Sequence, residues 1–168
     1  MPGPPRRAVP VIELPGGEVC PTDDPAAAEL LSSMVGQPLV LRREGDAPHH
    51  DDCPVHVITT AGLRQLGRLL GAAVDPRRFR ANIVLDVDGV DFVEDAWTKR
   101  ELRLGSDVVL GLTEPMPRCV MVGLPQIGLQ RDPRILKELG RVHDVEFGLQ
   151  AHVIQGGTVR EGDIAQLT

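Results

Sequence analysis

A chain of 168 residues with a formal net charge of −6 is short enough to form one domain, and too acidic for general binding to the phosphate backbone of nucleic acids. Its three cysteines lack the spacing of a disulfide framework, which favours a reducing, cytoplasmic setting. No apolar run approaches the ~20 residues that cross a bilayer, so we expect no membrane association. Only 2% of the residues are aromatic, so we expect a core built from Leu, Val and Ile.

Short strands and capped helices alternate along the chain. Residues 1–10 are rich in proline, which predicts a disordered tail before one domain over residues 11–168. Alternating apolar residues predict strands at 11–14, 39–41, 55–59, 82–86, 102–104, 108–112, 150–154 and 164–167. Helix N-caps are predicted at Asp24, at Thr59 or Thr60, and before Pro133. Asp88-Gly89 predicts a hairpin-type turn. This pattern predicts a mainly β fold with α (α+β), a β-barrel with about three helices.

The segment Glu114-Pro-Met-Pro-Arg-Cys-Val-Met121 combines stiff backbone with a reactive side chain. Its two prolines predict a strand end or a loop rim rather than the middle of a sheet. The guanidinium of Arg118 beside Cys119 favours the thiolate, which is the nucleophile and the metal ligand. The alternative from these residues alone is a buried, inert cysteine, with Arg118 as a solvated charge at the rim.

Five segments, in order along residues 25–168, together resemble the MOSC domain, a family named for the C-terminal domain of molybdenum-cofactor sulfurases. They are Pro54-Val-His-Val-Ile-Thr-Thr-Ala-Gly-Leu63, Arg78-Phe-Arg-Ala-Asn-Ile-Val84, Phe92-Val-Glu-Asp-Ala-Trp97, Pro115-Met-Pro-Arg-Cys-Val-Met121 and Gly157-Thr-Val-Arg-Glu-Gly-Asp163. The resemblance implies a MOSC-type β-barrel. It also implies that Cys119 is a molybdenum ligand or carries a persulfide sulfur.

The same resemblance implies that Arg80 and Asn82 hold the pterin of a molybdopterin cofactor, and that Thr59 and Thr60 lie near it. We expect Arg118 to bind the cofactor as well, in one open pocket with Arg80, Asn82 and Cys119. Each of these residues has an alternative explanation: a strand-start ion pair for Arg80, and helix capping for the two threonines. His49, Asp51, Cys53 and His56 are metal-ligand types, but they lack the spacing of a zinc motif. Cys20 and Cys53 are interpreted as structural.

The chain departs from the family pattern in three places. Ala81 stands where the family usually has proline, and Leu124-Pro-Gln-Ile-Gly128 replaces the usual Asp-Pro-Asp-Thr-Gly loop. The N-terminal segment with which larger relatives bind the cofactor phosphate is expected to be missing, with Arg42-Arg43 the nearest basic pair. We therefore expect weak binding of molybdenum-molybdopterin.

The resemblance leaves two functions open. The first is binding of molybdenum-molybdopterin through Cys119, for sulfur transfer or for reduction of N-oxygenated compounds. Such an oxidoreductase would need a separate electron-donor protein, because the sequence has no flavin, haem or iron–sulfur motif. The alternative is a cofactor-free binding or sulfur-carrier module. In both cases the expected ligand is a small molecule, and whether the chain is an enzyme stays open.

Overall fold

A computed structural model describes residues 9–43 and 53–168 of the chain. The chain forms two compact units, Met1–His49 and His50–Thr168. Most of the predicted tail and the predicted loop over residues 44–52 lie outside the described residues. The prediction of one domain over residues 11–168 stays a prediction.

The first unit contains a two-stranded antiparallel sheet, β1 (Val11–Glu13) and β2 (Val19–Pro21), followed by helix α1 (Pro25–Val35). The predicted cap is confirmed, because the side chain of Asp24 accepts a hydrogen bond from the backbone of Ala26 at 2.9 Å. The predicted strand at residues 39–41 is wrong. A strand needs a partner for its backbone polar groups, and no described strand pairs with that segment.

The second unit is organised around a six-stranded mixed sheet that forms a nearly closed barrel. Its strands are β3 (Val55–Thr59), β4 (Ile83–Leu85), β5 (Glu101–Leu104), β6 (Val108–Pro117), β7 (Glu146–Gln155) and β8 (Ala165–Leu167). They lie in the order β4-β3-β7-β6-β5-β8, with β3 and β4 parallel and the other pairs antiparallel. The described residues also hold three α-helices. The predicted α+β class, a barrel with about three helices, is confirmed.

Two helices and three short 3₁₀ turns complete this unit. They are α2 (Thr60–Leu70), α3 (Arg134–Val142), and the turns at Pro76–Phe79, Val93–Trp97 and Val120–Gly123. One apolar cluster fills the sheet interior, with Val57, Leu102 and Leu110 among its members. A second cluster joins α2, α3 and the turns to the sheet around Phe79 and Phe147. The core is built mainly from Leu, Val and Ile, as expected, and Phe79 and Phe147 are additions that the composition did not predict.

One local prediction about the sheet is wrong and another is confirmed. Asp88-Gly89 does not join a hairpin, because β4 pairs in parallel with β3 and the chain continues into the turn at Val93–Trp97. The prolines before Cys119 do mark a strand end, since Pro115 and Pro117 are among the last three residues of β6. Pairing with β7 continues there with shifts of register, and such irregularities allow a strand to include residues that cannot donate a hydrogen bond.

No helix within residues 9–43 and 53–168 is long and apolar enough to cross a membrane.

Candidate functional site

Cys119 is exposed, whereas Cys20 and Cys53 are half-buried. It directly precedes the 3₁₀ turn at Val120–Gly123, which follows β6. The alternative of a buried, inert Cys119 is therefore wrong. Partial burial raises the pKa of the Cys20 thiol, and the carboxylates of Asp24 and Glu18 raise it further, so Cys20 is a poor nucleophile at neutral pH.

An open cleft of about 430 Å³ lies beside this turn. Its lining contains two arginines, one amide and four apolar residues, namely Arg77, Arg80, Gln126, Met121, Leu124, Pro125 and Ile127. Met121 belongs to the turn that Cys119 directly precedes. Asn82, Arg118 and Cys119 are not among the residues that line this cleft. Arg80 is exposed, and no described carboxylate lies within ion-pair distance of it. The alternative of a strand-start ion pair for Arg80 is therefore not supported.

Arg118 reaches back toward the 3₁₀ turn at Pro76–Phe79. Its guanidinium lies 5.8 Å from the centre of the Phe79 ring, and its Nη2 donates to the Phe79 carbonyl at 3.0 Å. The backbone N–H of Arg118 donates to the carbonyl of Val145 at 2.7 Å. Arg118 is half-buried, so it is not simply a solvated charge at the rim. It fixes the residue that precedes Arg80, and so helps to place Arg80 at the cleft.

His56 lies buried behind Arg118. Its Nε2 lies 3.0 Å from the carbonyl of Phe147, which can only accept, so the hydrogen resides on Nε2. Burial and, to a smaller extent, the positive charge of Arg118 together lower the pKa of His56 to about 4, although the nearby carbonyls of Phe147 and Phe79 oppose this shift. His56 is therefore a neutral donor at neutral pH.

This neutral histidine predicts a pH dependence of stability. The folded-state pKa lies below the unfolded value, so the unfolded chain takes up the proton first, and stability falls as the pH falls below 6.5. Between pH 7 and pH 5 the wild type should lose about 2 kcal/mol more than His56→Gln, which keeps an N–H donor without titrating. Urea unfolding of both proteins at the two pH values measures this difference. An equal loss of unfolding free energy in the two proteins between pH 7 and pH 5 would contradict the prediction.

Thr59 is fully buried and has a structural role. Its Oγ1 caps α2 by accepting from the backbone of Gly62 at 2.9 Å, and it donates to Oε2 of Glu94 at 2.6 Å. Glu94 is 1% exposed, and its Oε1 has no hydrogen-bond partner among the described residues. Burial raises the pKa of Glu94, although the hydrogen bond from Thr59 opposes this shift. The structure therefore gives Thr59 a role that needs no cofactor, as the capping alternative expected.

Thr60 and Asn82 are also engaged within the fold. The hydroxyl of Thr60 lies 2.9 Å from Oδ1 of Asp86 and accepts from the backbone of Val87 at 2.9 Å. Oδ1 of Asn82 accepts from the backbone N–H of His56 at 2.8 Å, which extends the pairing of β3 with β4. The NH₂ group of Asn82 is thus the donor that a ligand could use.

Sequence reasoning missed Arg78, whose guanidinium is buried. Its Nη2 donates to the carbonyl of Gln130 at 2.7 Å, and its Nη1 reaches the carbonyls of Val122 and Leu124 at 3.4 and 3.5 Å. These acceptors flank the loop that forms one wall of the cleft. The only signal in the sequence was that three arginines lie close together in Arg77-Arg78-Phe-Arg80. Such a pattern does not show which of the three is buried.

The described residues contain no group of three His, Cys, Asp or Glu side chains that could hold a metal ion. Two of the predicted zinc-ligand types, His49 and Asp51, lie outside residues 9–43 and 53–168. Sγ of Cys53 donates to the carbonyl of Val55 at 3.1 Å, and His56 is turned to the carbonyl of Phe147.

A model of the MOSC domain family matches residues 44–166. The chain belongs to the MOSC domain family. Its structure is similar to the crystal structure of YiiM from Geobacillus stearothermophilus, with a TM-score of 0.51 and 15% sequence identity over 70% of this chain. The match covers 55% of that YiiM chain, so this MOSC chain spans about half its length, and the similarity shows the fold alone. No curated protein sequence matches the chain.

Membership of the family associates this domain with the molybdenum cofactor in general. Its residues fit such a group in part. The exposed Cys119 thiol suits a soft metal, and Arg80 at the cleft suits an anionic or pterin group. Thr59 and one side of Asn82 are already used inside the fold.

The backbone of Arg80 supports a further prediction. Its φ of 52° lies in the left-handed region, where a side chain costs about 1–2 kcal/mol relative to the usual helical conformation. Arg80→Ala keeps this cost and should change the free energy of unfolding by less than about 0.5 kcal/mol. Arg80→Gly relieves it and should be more stable than Arg80→Ala by about 1 kcal/mol. Urea unfolding compares the two variants. A large loss of unfolding free energy in Arg80→Ala would instead show that the guanidinium stabilises the fold.

Proposed function

We propose that this MOSC domain binds a molybdopterin-type cofactor through the thiolate of Cys119. The observation that carries the proposal is the placement of Cys119. It is the exposed cysteine of the three, and it directly precedes the turn that contributes Met121 to the cleft containing Arg80. Sulfur ligands suit soft transition metals such as molybdenum.

Each residue of the site would have a distinct role in binding the cofactor. Cys119 would provide the protein ligand, and Arg80 would donate to an anionic group or to a pterin edge. The NH₂ group of Asn82 would donate to the ring, while Arg118 and His56 hold the backbone around Phe79 in place. When bound, the group would supply two-electron chemistry, such as reduction of N-oxygenated small molecules, or it would exchange a sulfur atom. The reductant for the first reaction would come from a separate electron-donor protein.

A second candidate is a cofactor-free sulfur carrier or binding module. Two observations favour it. The side chains of Thr59 and Asn82 form hydrogen bonds within the protein, and Cys119 is exposed to solvent. A persulfide on an exposed thiol needs no pterin site. The two candidates therefore share Cys119 and differ in metal content.

Cys119→Ser is the variant that tests both candidates. For protein from a host that makes the cofactor, we expect molybdenum below one atom per chain in the wild type and none in Cys119→Ser. Cys20→Ser is the matched control and should keep the wild-type content, since it removes a half-buried thiol. Elemental analysis after gel filtration measures the metal, and cyanolysis measures persulfide sulfur.

The outcomes separate the candidates. Persulfide sulfur without molybdenum in the wild type would favour the carrier. Molybdenum that persists in Cys119→Ser would contradict a role for Cys119 as the ligand. Near-stoichiometric molybdenum in the wild type would show that binding is tighter than the departures from the family pattern predict.

A further inference from the structure

The cleft beside Cys119 has two walls of different chemistry. One wall is the 3₁₀ turn at Pro76–Phe79 with Arg80, and it contributes Arg77 and Arg80. The other wall is apolar apart from Gln126, and its members are Met121, Leu124, Pro125 and Ile127. A volume of about 430 Å³ is in the range of small-molecule sites, which combine mostly apolar walls with a few placed polar groups.

The apolar wall is held in place rather than left as a loose loop. Gln126 and Leu129 exchange two backbone hydrogen bonds, at 3.0 and 2.8 Å, around a tight turn. Gly128, at φ +76°, supplies the left-handed residue that this turn requires. Arg78 binds the carbonyls of Leu124 and Gln130, on both sides of the turn. A structured turn thus presents Ile127 with 96% of its surface exposed.

Ile127 is not an isolated apolar residue on the surface, because Met121, which is also exposed, and Leu124 line the same cleft. A ligand that covers this apolar lining removes it from water, which is favourable. Arg77 ties the turn that carries Ile127 to the opposite wall, since its Nη1 lies 3.4 Å from the carbonyl of Ile127. The two walls therefore form a prepared surface with little to order when a ligand binds.

The charge of the cleft comes from Arg80. Arg77 is paired with Asp75, whose Oδ2 lies 2.7 Å from Nη2, so this pair adds no net charge. Arg80 faces no carboxylate within ion-pair distance among the described residues. Its backbone is held in the left-handed region at φ 52°, a strained conformation of the kind that clusters at binding sites. One positive charge thus stands across from an apolar wall.

We propose that this cleft binds a small organic monoanion with an apolar body, such as an aromatic carboxylate, as the substrate-binding part of the site. The carboxylate would accept from the guanidinium of Arg80, and the body would lie on Ile127, Leu124 and Met121. A guanidinium has five N–H donors, enough to contact a pterin edge and a carboxylate together. The role as substrate rests on the proposed function, but binding itself needs neither Cys119 nor a metal.

The test uses metal-free, full-length protein and 2-naphthoate as the probe. Calorimetry gives the affinity, and amide chemical shifts of Gln126, Ile127 and Gly128 locate the bound probe. We expect saturable binding at these amides. Acetate, which lacks the body, and 2-naphthamide, which lacks the charge, should each bind at least about ten-fold more weakly.

Single substitutions separate the contribution of the Arg80 charge from that of the apolar wall. Arg80→Gln should weaken 2-naphthoate binding about ten-fold or more, and Ile127→Ser about five-fold. Arg103→Gln is the matched control, because Arg103 is an exposed arginine outside the cleft lining, and it should leave the affinity unchanged. Because 2-naphthoate binding is measured on metal-free protein, its result is independent of the molybdenum content that tests the proposed function.

Several outcomes would overturn the proposal. Equal binding of 2-naphthoate and 2-naphthamide would remove the role of Arg80, and equal binding by Ile127→Ser would remove the apolar wall. If inorganic phosphate bound more tightly than 2-naphthoate and required Arg80, the cleft would be a site for a cofactor phosphate instead. Shifts confined to amides outside residues 121–128 would place the probe elsewhere.

Discussion

Replacing Phe147 with alanine is expected to lower the free energy of unfolding by about 3–5 kcal/mol, because it removes a large side chain from a packed interior. Phe147 is fully buried. Its ring stacks on Phe79 at 4.1 Å between centroids and meets the edge of Phe92 at 6.2 Å. All three phenylalanines of the chain therefore share one cluster, which joins the sheet to the turn that carries Arg80.

Phe92→Ala is the matched control for Phe147→Ala. Phe92 is only half-buried, so its removal should cost less than the removal of Phe147. Urea unfolding of both variants provides the comparison. Because the backbone carbonyl of Phe147 accepts from His56, we also expect the ring signals of His56 to shift in Phe147→Ala. A loss below about 1 kcal/mol would mean that this cluster does not hold the second core together.

Replacing Arg78 with methionine is expected to lower the free energy of unfolding by about 3–4 kcal/mol, because buried carbonyls lose a charged donor. The carbonyl of Gln130, at 2.7 Å, should account for most of this loss, since those of Val122 and Leu124 are farther away. Methionine keeps much of the apolar stem, so the change reports mainly on the hydrogen bonds. The loop that carries Ile127 should also become less ordered.

Arg77→Met is the matched control, one residue away. The Arg77 side chain is 60% exposed in its pair with Asp75, and such surface pairs contribute little. Urea unfolding should therefore separate Arg78→Met from a nearly unchanged Arg77→Met. Hydrogen exchange at the amides of Gln126 and Leu129 should accelerate in Arg78→Met. Equal stability of the two variants would contradict a buried role for Arg78.

Local chemistry in the sequence predicted where helices begin. Asp24 was predicted as the N-cap of α1, and either Thr59 or Thr60 as that of α2; the side chains of Asp24 and Thr59 accept the expected backbone hydrogen bonds. The third predicted start was one residue early, since α3 begins at Arg134 with Pro133 at the cap position. Caps are predictable because donor and acceptor lie two or three residues apart, so distant parts of the fold have little influence. The five family segments likewise predicted the barrel and its family without any knowledge of strand order.

Pairing between distant strands was not predictable in the same way. Asp88-Gly89 has the residues of a hairpin turn, but β4 gains its hydrogen bonds from the parallel strand β3. The segment at residues 39–41 has strand-forming residues, but no described strand pairs with it. Whether an apolar run becomes a strand depends on an available partner, which lies far away in the sequence.

The sequence by itself determined the family and the approximate starts of the helices, and it singled out Cys119 as the candidate site residue. Only the tertiary structure decided the roles of Arg77, Arg78 and Arg80, which look alike within one short segment. Arg77 pairs with Asp75, Arg78 is buried against loop carbonyls, and Arg80 faces the cleft from a left-handed backbone. The physical reason is that a guanidinium takes its role from the acceptors around it, and for Arg78 these acceptors come from residues 122–130.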